Sequence, residues 1–154
     1  MIVFRLSKQL YCTDLSGTGA FKAGGRWNSK GTALVYTADS RALSMAEVAV
    51  HIPVGMLPKD YFLVSIAIPD DFISEVDRNS LPPDWNVFPH PISTQQFGDN
   101  FVKTGKSLIL KVPSAVVPGD FNYLINPQHP SMNQVSIVGE PTPFPFDNRL
   151  FQKK

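Results

Sequence analysis

The sequence predicts an α+β fold with a mixed β-sheet core and few helices. Fourteen prolines and ten glycines divide the 154 residues into short segments. Most of these segments are rich in β-branched and aromatic residues, which favours strands joined by irregular loops. The length suits one domain with a proper core, whereas two domains would each be small for independent stability. We therefore expect a single domain over residues 1–154.

Six segments have the composition of strands and are bounded by glycine, proline or polar residues. A strand is predicted at each of Ile2–Leu6, Ala33–Thr37, Tyr61–Ile68, Ser107–Val112, Tyr123–Ile125 and Val135–Val138.

The clearest helix is predicted from about Ser40 to His51, with Asp39 or Ser40 as its N-cap and Pro53 ending it. Its polar residues follow the spacing of one helical face, and the other positions are mostly apolar. The polar face consists of Ser40, Ser44, Glu47 and His51. We expect a mostly buried helix whose narrow polar stripe faces either solvent or a cleft.

A second helix is predicted from a capping box at Ser93 and Gln96, with Ile92 and Phe97 as a hydrophobic staple. Gly105 is expected to end it. The preceding segment, 81–91, contains too much proline for regular structure but carries large apolar side chains. We expect this segment to be an ordered loop.

Charge and cysteine content exclude several classes of function. The net charge is +1, from 14 basic and 13 acidic residues without a long run of either sign, so direct nucleic-acid binding is not expected. Cys12 is the only cysteine, which excludes an internal disulfide framework and suits a reducing compartment. No signal peptide and no membrane-spanning run is apparent, so we expect a cytoplasmic protein without membrane contact.

Three polar side chains in the first third of the chain have apolar or glycine neighbours: Arg26, Tyr36 and Glu47. Glycine-flanked Arg26 either lies in a plain turn or forms a bidentate contact with a pyrophosphate. Tyr36 is either a half-buried core residue or a ring that stacks on a base. Glu47 either pairs with His51 at the surface or serves a ligand, since a carboxylate on an apolar helix needs a partner or a task.

Other chemistry finds less support in the sequence. The glycines do not form a dinucleotide-binding fingerprint. The three histidines show no metal-binding spacing, so no metal is predicted. Ser114 lacks the nucleophile elbow of a serine hydrolase, and its hydroxyl is interpreted as a hydrogen-bond partner rather than a nucleophile.

Several short motifs follow one another along nearly the whole chain: Gly24-Gly25-Arg26-Trp27-Asn28, Tyr36, Glu47, Val112-Pro113-Ser114, Asn122-Tyr123-Leu124-Ile125-Asn126-Pro127 with His129-Pro130, and Phe146-Asp147-Asn148-Arg149-Leu150. In this order they resemble the motifs of the RES domain, the toxin of RES–Xre toxin–antitoxin pairs.

This resemblance implies an ADP-ribosyltransferase-like fold in which NAD, as substrate rather than cofactor, lies in a cleft between two sheets. It implies Arg26, Glu47 and Ser114 as the catalytic residues. The residues expected to bind NAD are Arg26, Asn28, Tyr36, Ser114 and Asn126. It further implies an Xre-like antitoxin as partner and, by family analogy alone, a homodimer.

The implied reaction cleaves the nicotinamide–ribose bond, and a carboxylate aimed at the sugar would stabilise the oxocarbenium character that develops there. Only three glutamates occur, and none forms the Glu-x-Glu pair similar to that of arginine-specific ADP-ribosyltransferases. Water and inorganic phosphate both remain as acceptors. A protein ADP-ribosyltransferase and a non-enzymatic interaction module are the alternative hypotheses.

Overall fold

The computed structural model describes residues 1–153, and within them eight strands form one mixed sheet. The strands are β1 Ile2–Lys8, β2 Val35–Ala38, β3 Tyr61–Ala67, β4 Ile73–Glu75, β5 Ile109–Pro113, β6 Phe121–Ile125, β7 Ser136–Ile137 and β8 Thr142–Pro143. The α-helices are α1 Thr18–Ala23, α2 Arg41–Ala49 and α3 Ile92–Thr104. Short 3₁₀ turns lie at Gln9–Tyr11, Asp70–Phe72, Arg78–Ser80, Pro130–Gln134 and Asn148–Leu150. The predicted mixed core with few helices is confirmed.

The strand order is β4-β5-β6-β2-β1-β3-β7, and β8 also pairs with β3. Of these pairings, β4 with β5 is parallel and the others are antiparallel. The central strands β1 and β2 share the single registered pair Phe4–Ala38, whereas β1 and β3 pair over seven residues. The two expected sheets are therefore two halves of one hydrogen-bonded sheet, joined by that narrow contact.

One apolar core fixes the turn that contains Arg26. Trp27 is 2% exposed and packs among side chains of β5, β6 and α3. Its ring lies 6.5 Å from that of Trp85 and 6.1 Å from that of Phe97, measured between centroids. Burying such large rings removes much apolar surface from water. The segment 81–91 is accordingly an ordered loop, as predicted, because Trp85 anchors it to this core.

Helix α2 follows β2 after a short turn and packs on β1 and β2. The Ser40 hydroxyl accepts a hydrogen bond from the Leu43 amide at 3.0 Å, so Ser40 is the predicted N-cap. Only Leu43 and Ser44 of the helix are fully buried. The helix is therefore less enclosed than its apolar composition indicated, because it covers the sheet from one side only.

The predicted start of α3 is wrong, although its end at Gly105 is confirmed. The helix begins at Ile92 after Pro91, and the Ser93 hydroxyl donates to Asp84 at 2.9 Å instead of capping the helix. Ile92 is 70% exposed and forms no staple. Pro91 presets an extended backbone just ahead of the helix, and this constraint displaces the capping box. Gly105 ends α3 in the left-handed region, at φ 58°.

Helix α1 and strands β4 and β8, which are two to six residues long, are not predicted from the sequence. Segments of this length carry too little periodicity to be recognised. Within residues 1–153, no helix is both long enough and apolar enough to cross a bilayer.

Replacing Gly98 in α3 by alanine should destabilise the protein. A Cβ at this position would lie 1.7 Å from the carbonyl oxygen of Trp27, so the helix would have to move away from the Trp27 turn. We expect the free energy of unfolding to fall by about 1–3 kcal/mol, measured by urea denaturation. Gly19→Ala is the matched control, because nothing lies within 4 Å of its Cβ position. Alanine there should raise stability by about 0.5–1 kcal/mol, and equal effects of the two variants would contradict this packing.

Candidate active site

The carboxylate of Glu47 is the centre of the candidate site. Its Oε1 accepts hydrogen bonds from the Ser114 hydroxyl at 2.8 Å and from the Asn122 amide nitrogen at 2.6 Å. Ser114 directly follows β5, and Asn122 lies in β6 opposite Val112. The antiparallel pairing of β5 and β6 therefore places both donors at the same end of the sheet, where α2 carries Glu47.

All of the hydrogen-bonding capacity of the Ser114 hydroxyl is used. The hydroxyl donates to Glu47 and accepts from the amides of Val116 at 3.1 Å and Val117 at 3.0 Å. A hydroxyl has one donor and two lone pairs, so no group remains for a ligand. Ser114 is 3% exposed. This geometry agrees with its interpretation as a hydrogen-bond partner rather than a nucleophile, and the partner is Glu47.

The two carboxylate oxygens of Glu47 differ in their hydrogen bonding. Oε2 makes no hydrogen bond to any residue in 1–153, whereas Oε1 makes two. An ionised carboxylate is acceptor-only and can accept at both oxygens. The arrangement thus provides one oxygen that is fixed by the protein and one that can face a bound molecule.

The turn from Gly24 to Asn28 is held by Tyr36. The Tyr36 hydroxyl donates to Asn28 Oδ1 at 2.7 Å and accepts from the Trp27 amide at 3.0 Å. Burial raises the pKa of Tyr36 well above its usual value. A Cβ at Gly25 would lie 2.7 Å from the Tyr36 hydroxyl. Glycine at this position thus allows the Tyr36 hydroxyl to approach the backbone closely. From the sequence alone, a glycine that makes room for a neighbouring side chain looks the same as one that makes room for a ligand.

Asn28, predicted to bind NAD, is completely buried. The two hydrogens of its amide nitrogen are shared among the carbonyl oxygens of Ala20, Ser29 and Thr32, and its Oδ1 accepts from Tyr36. All of its polar atoms are therefore occupied. Asn28 shapes the site by fixing the turn beside Arg26.

Arg26 holds the neighbouring loop through one of its nitrogens. Nη1 donates to the carbonyl oxygens of Trp85 at 2.7 Å and Val87 at 2.8 Å. Nε and Nη2 make no hydrogen bond within residues 1–153, so they retain donors for an anion. Burial lowers the pKa of Arg26, while the charge of Glu47 and the hydroxyl of Tyr36 oppose that change. The guanidinium thus lies within electrostatic reach of Glu47.

Two histidines that are far apart in the sequence lie close together, and one of them, His90, is near Arg26. The rings of His51 and His90 lie 6.5 Å apart, and Phe88 flanks His90 at 5.4 Å. His90 Nδ1 is buried and has no hydrogen-bond partner in the described chain. Burial, followed by the nearby charges of Arg26 and His51, lowers the pKa of His90. The sequence does not indicate this proximity, because a separation of 39 positions carries no local pattern.

The structure does not bring Asn126 to Glu47. Asn126 lies beyond the far end of β6, four residues from Asn122, which corresponds to about 13 Å of strand. Its side chain donates to the Val102 carbonyl at 3.4 Å and accepts from the Gln128 amide at 3.0 Å. Asn122 was missed as a site residue. Its pairing opposite Val112, two residues before Ser114, is the signal that could have identified it.

Comparisons with known proteins identify the family of this chain. The model of the RES domain matches residues 2–147. The chain belongs to the RES domain family. A relative named "Prs ADP-ribosylating toxin", from a Sphingobium species, is 37% identical over 143 residues, covering 91% of this chain and 88% of the relative. A "Toxin Res" from Photorhabdus laumondii is 36% identical over 155 residues, covering 100% and 99% of the two chains.

A solved structure shares the fold of this RES domain. It is the crystal structure of the M. tuberculosis MbcT–MbcA toxin–antitoxin complex. The TM-score is 0.70 with 22% identity, covering 92% of this chain and 84% of the other. At that identity the likeness establishes the architecture.

Replacing Tyr36 by phenylalanine should destabilise the turn. The change leaves Asn28 Oδ1 and the Trp27 amide without their partner in a buried environment. The expected loss in the free energy of unfolding is about 1–3 kcal/mol, measured by urea denaturation. Tyr11→Phe is the control, because Tyr11 is 54% exposed. Equal stabilities of the two variants would show that the Tyr36 hydroxyl does not hold the turn.

The stability of the protein should fall at acidic pH partly because of His90. Since the folded pKa of His90 is lowered, the unfolded chain binds more protons there once the pH drops below about 6.5. The contribution of neutral His90 to the free energy of unfolding is therefore fully present above that pH. It is lost as the pH falls toward the pKa of His90 in the folded protein. Between pH 7.5 and pH 5, the melting temperature of His90→Gln should fall less than that of the wild type. Parallel curves would contradict this effect.

Proposed function

We propose that this chain is the toxin of a type II toxin–antitoxin system and that it degrades NAD by cleaving the nicotinamide–ribose bond. The observation that supports it most is the Glu47 carboxylate, which has one oxygen held by Ser114 and Asn122 and the other without a protein partner. The names of two relatives, "Toxin Res" and "Prs ADP-ribosylating toxin", support the toxin class and the use of an ADP-ribosyl donor.

The chemistry matches what these groups can do. When the C1′–N bond breaks, its electron pair leaves with the pyridinium ring, which becomes neutral nicotinamide, so no acid is required. Positive charge then develops on the ribose. A fixed carboxylate facing the ribose stabilises that charge without reorganising during the reaction. Glu47 Oε2 is the group assigned to this task.

The remaining residues bind and orient the dinucleotide. Nε and Nη2 of Arg26 are assigned to the diphosphate, since a guanidinium can contact phosphate oxygens with two donors. The hydroxyl of Tyr36 is already bonded to the Arg26 turn, so its contribution to the ligand is the face of its ring. Holding the ribose near Glu47 in this way lowers the entropic part of the barrier.

Water or inorganic phosphate is the proposed acceptor. Besides Glu47, the chain has Glu75, which pairs with Lys111 at 3.3 Å, and Glu140, which is exposed. Neither lies beside Glu47 in the sequence to activate an arginine acceptor. We further propose an Xre-like antitoxin as partner, in keeping with the toxin–antitoxin complex named for the structural neighbour, and a homodimer as the assembly.

Transfer of ADP-ribose to a cellular protein is the second candidate, and the name of the Sphingobium relative favours it. Incubating the protein with labelled NAD in a bacterial lysate separates the two reactions. A discrete labelled protein band that depends on Glu47 would support transfer. Label found only in free ADP-ribose or its phosphate would support degradation.

Glu47→Gln should lower the rate of nicotinamide release from NAD by about 10²–10³-fold, because the charge opposite the ribose cation is lost. Release is measured by chromatography with and without inorganic phosphate, and the product identifies the acceptor as water or phosphate. Glu75→Gln is the matched control, since Glu75 is exposed on the edge strand β4 and pairs with Lys111 rather than with a residue of the candidate site, and it should leave the rate unchanged.

Two outcomes would refute the proposal: no nicotinamide release by the wild-type protein, or an equal rate for Glu47→Gln. Matching melting temperatures of the two glutamine variants would exclude unfolding as the cause of a lower rate.

A further inference from the structure

We propose that Asn122 is a positioning residue of this site: together with Ser114 it fixes Oε1 of Glu47 and so reserves Oε2 for the ribose. The kinetic part of this inference rests on the proposed function. No family motif or comparison assigned a role to Asn122, and it emerges from the 2.6 Å contact between its amide nitrogen and Glu47.

The orientation of the Asn122 amide follows from the chemistry of its partner. An ionised carboxylate only accepts hydrogen bonds, so the amide nitrogen, and not Oδ1, must face Glu47. A donor to a charged acceptor forms a shorter and stronger bond than a neutral pair, which agrees with the observed distance. Asn122 therefore supplies a defined donor to a defined oxygen.

Glutamate needs such donors because its own geometry does not fix the carboxylate. Rotation about the last side-chain torsion of glutamate is broad, with no narrow staggered minimum. A single donor would leave the carboxylate plane free to turn about that contact. Ser114 and Asn122 approach the same oxygen from two different elements, so turning the plane would break or weaken both bonds.

The two donors are themselves anchored independently. The Ser114 hydroxyl is held by the amides of Val116 and Val117 in the loop after β5. Asn122 belongs to β6, where it pairs with Ala38 of β2 on one side and Val112 of β5 on the other. A strand bonded on both sides is a rigid support. Asn122 therefore fixes the position of Glu47, on α2, relative to a strand in the middle of one half of the sheet.

A purely structural alternative is that Asn122 only fills the space between α2 and the sheet, without its amide donating to Glu47. The two roles differ in what a shape-preserving substitution does. Asn122→Asp keeps the size of the side chain but replaces the donor with a second carboxylate. If Asn122 only filled space, aspartate would be tolerated better than alanine. If it donates to Glu47, aspartate is at least as harmful as alanine.

The experiment compares nicotinamide release by Asn122→Asp, Asn122→Ala and the wild type, with Asn133→Asp as control because Asn133 is exposed in a distant 3₁₀ turn. We expect both Asn122 variants to lower kcat by about 10- to 100-fold. KM for NAD should change less than threefold, because Asn122 does not touch the substrate. The control should match the wild type. Either Asn122 variant retaining kcat within twofold of the wild type would overturn the inference, as would a defect confined to KM.

A crystal structure of Asn122→Asp gives a test that does not depend on activity. The Glu47 carboxylate should turn away from its present contacts and lose the 2.8 Å bond from Ser114. An unchanged Glu47 would overturn the positioning role even if kcat fell. An inactive wild-type protein would instead refute the proposed function, and the crystal structure would still decide whether Asn122 positions Glu47.

Discussion

A carboxylate on an apolar helix must be hydrogen-bonded, and this constraint organises the molecule around Glu47. Helix α2 covers the β1–β2 junction, the narrowest part of the sheet, where a single registered pair joins the two halves. The bonds from Ser114 and Asn122 tie that helix to β5 and β6. The groups that satisfy Glu47 thus also connect the helix to one half of the sheet, so local chemistry and global architecture depend on the same contacts.

A second network sets the position of Arg26. The Trp27 ring is buried among side chains of β5, β6 and α3, and the Tyr36 hydroxyl donates to Oδ1 of the neighbouring Asn28. Arg26 lies between these fixed residues and points its Nη1 at the loop carbonyls of Trp85 and Val87. The loop is thereby joined to the turn by apolar packing on one side and by charge-assisted hydrogen bonds on the other. His90 comes from the same loop, which explains why a histidine so distant in sequence reaches Arg26.

Much of the fold could be predicted from local patterns. The six predicted strands all occur, and Ser40 caps α2, because β-branched runs and N-cap chemistry are properties of a few adjacent residues. The predictions failed where a distant or competing interaction determined the outcome. Ser93 bonds to Asp84 instead of capping α3, and Pro91 moves the start of that helix. Asn126 shares a motif with Asn122, yet the strand carries the two asparagines to opposite ends of the sheet.

By itself the sequence determined the mixed α+β class and the RES family, and it predicted Arg26, Tyr36, Glu47 and Ser114 as site residues, since residue types and their order carry that information. Only the tertiary structure decided how these residues act: Ser114 bonds to Glu47, Tyr36 holds the Arg26 turn, and Asn122 joins the site. The physical reason is that hydrogen-bond partners are chosen by distance and direction in space. The pairing of β5 with β6 and the packing of α2 create those distances, and no local pattern in the chain specifies them.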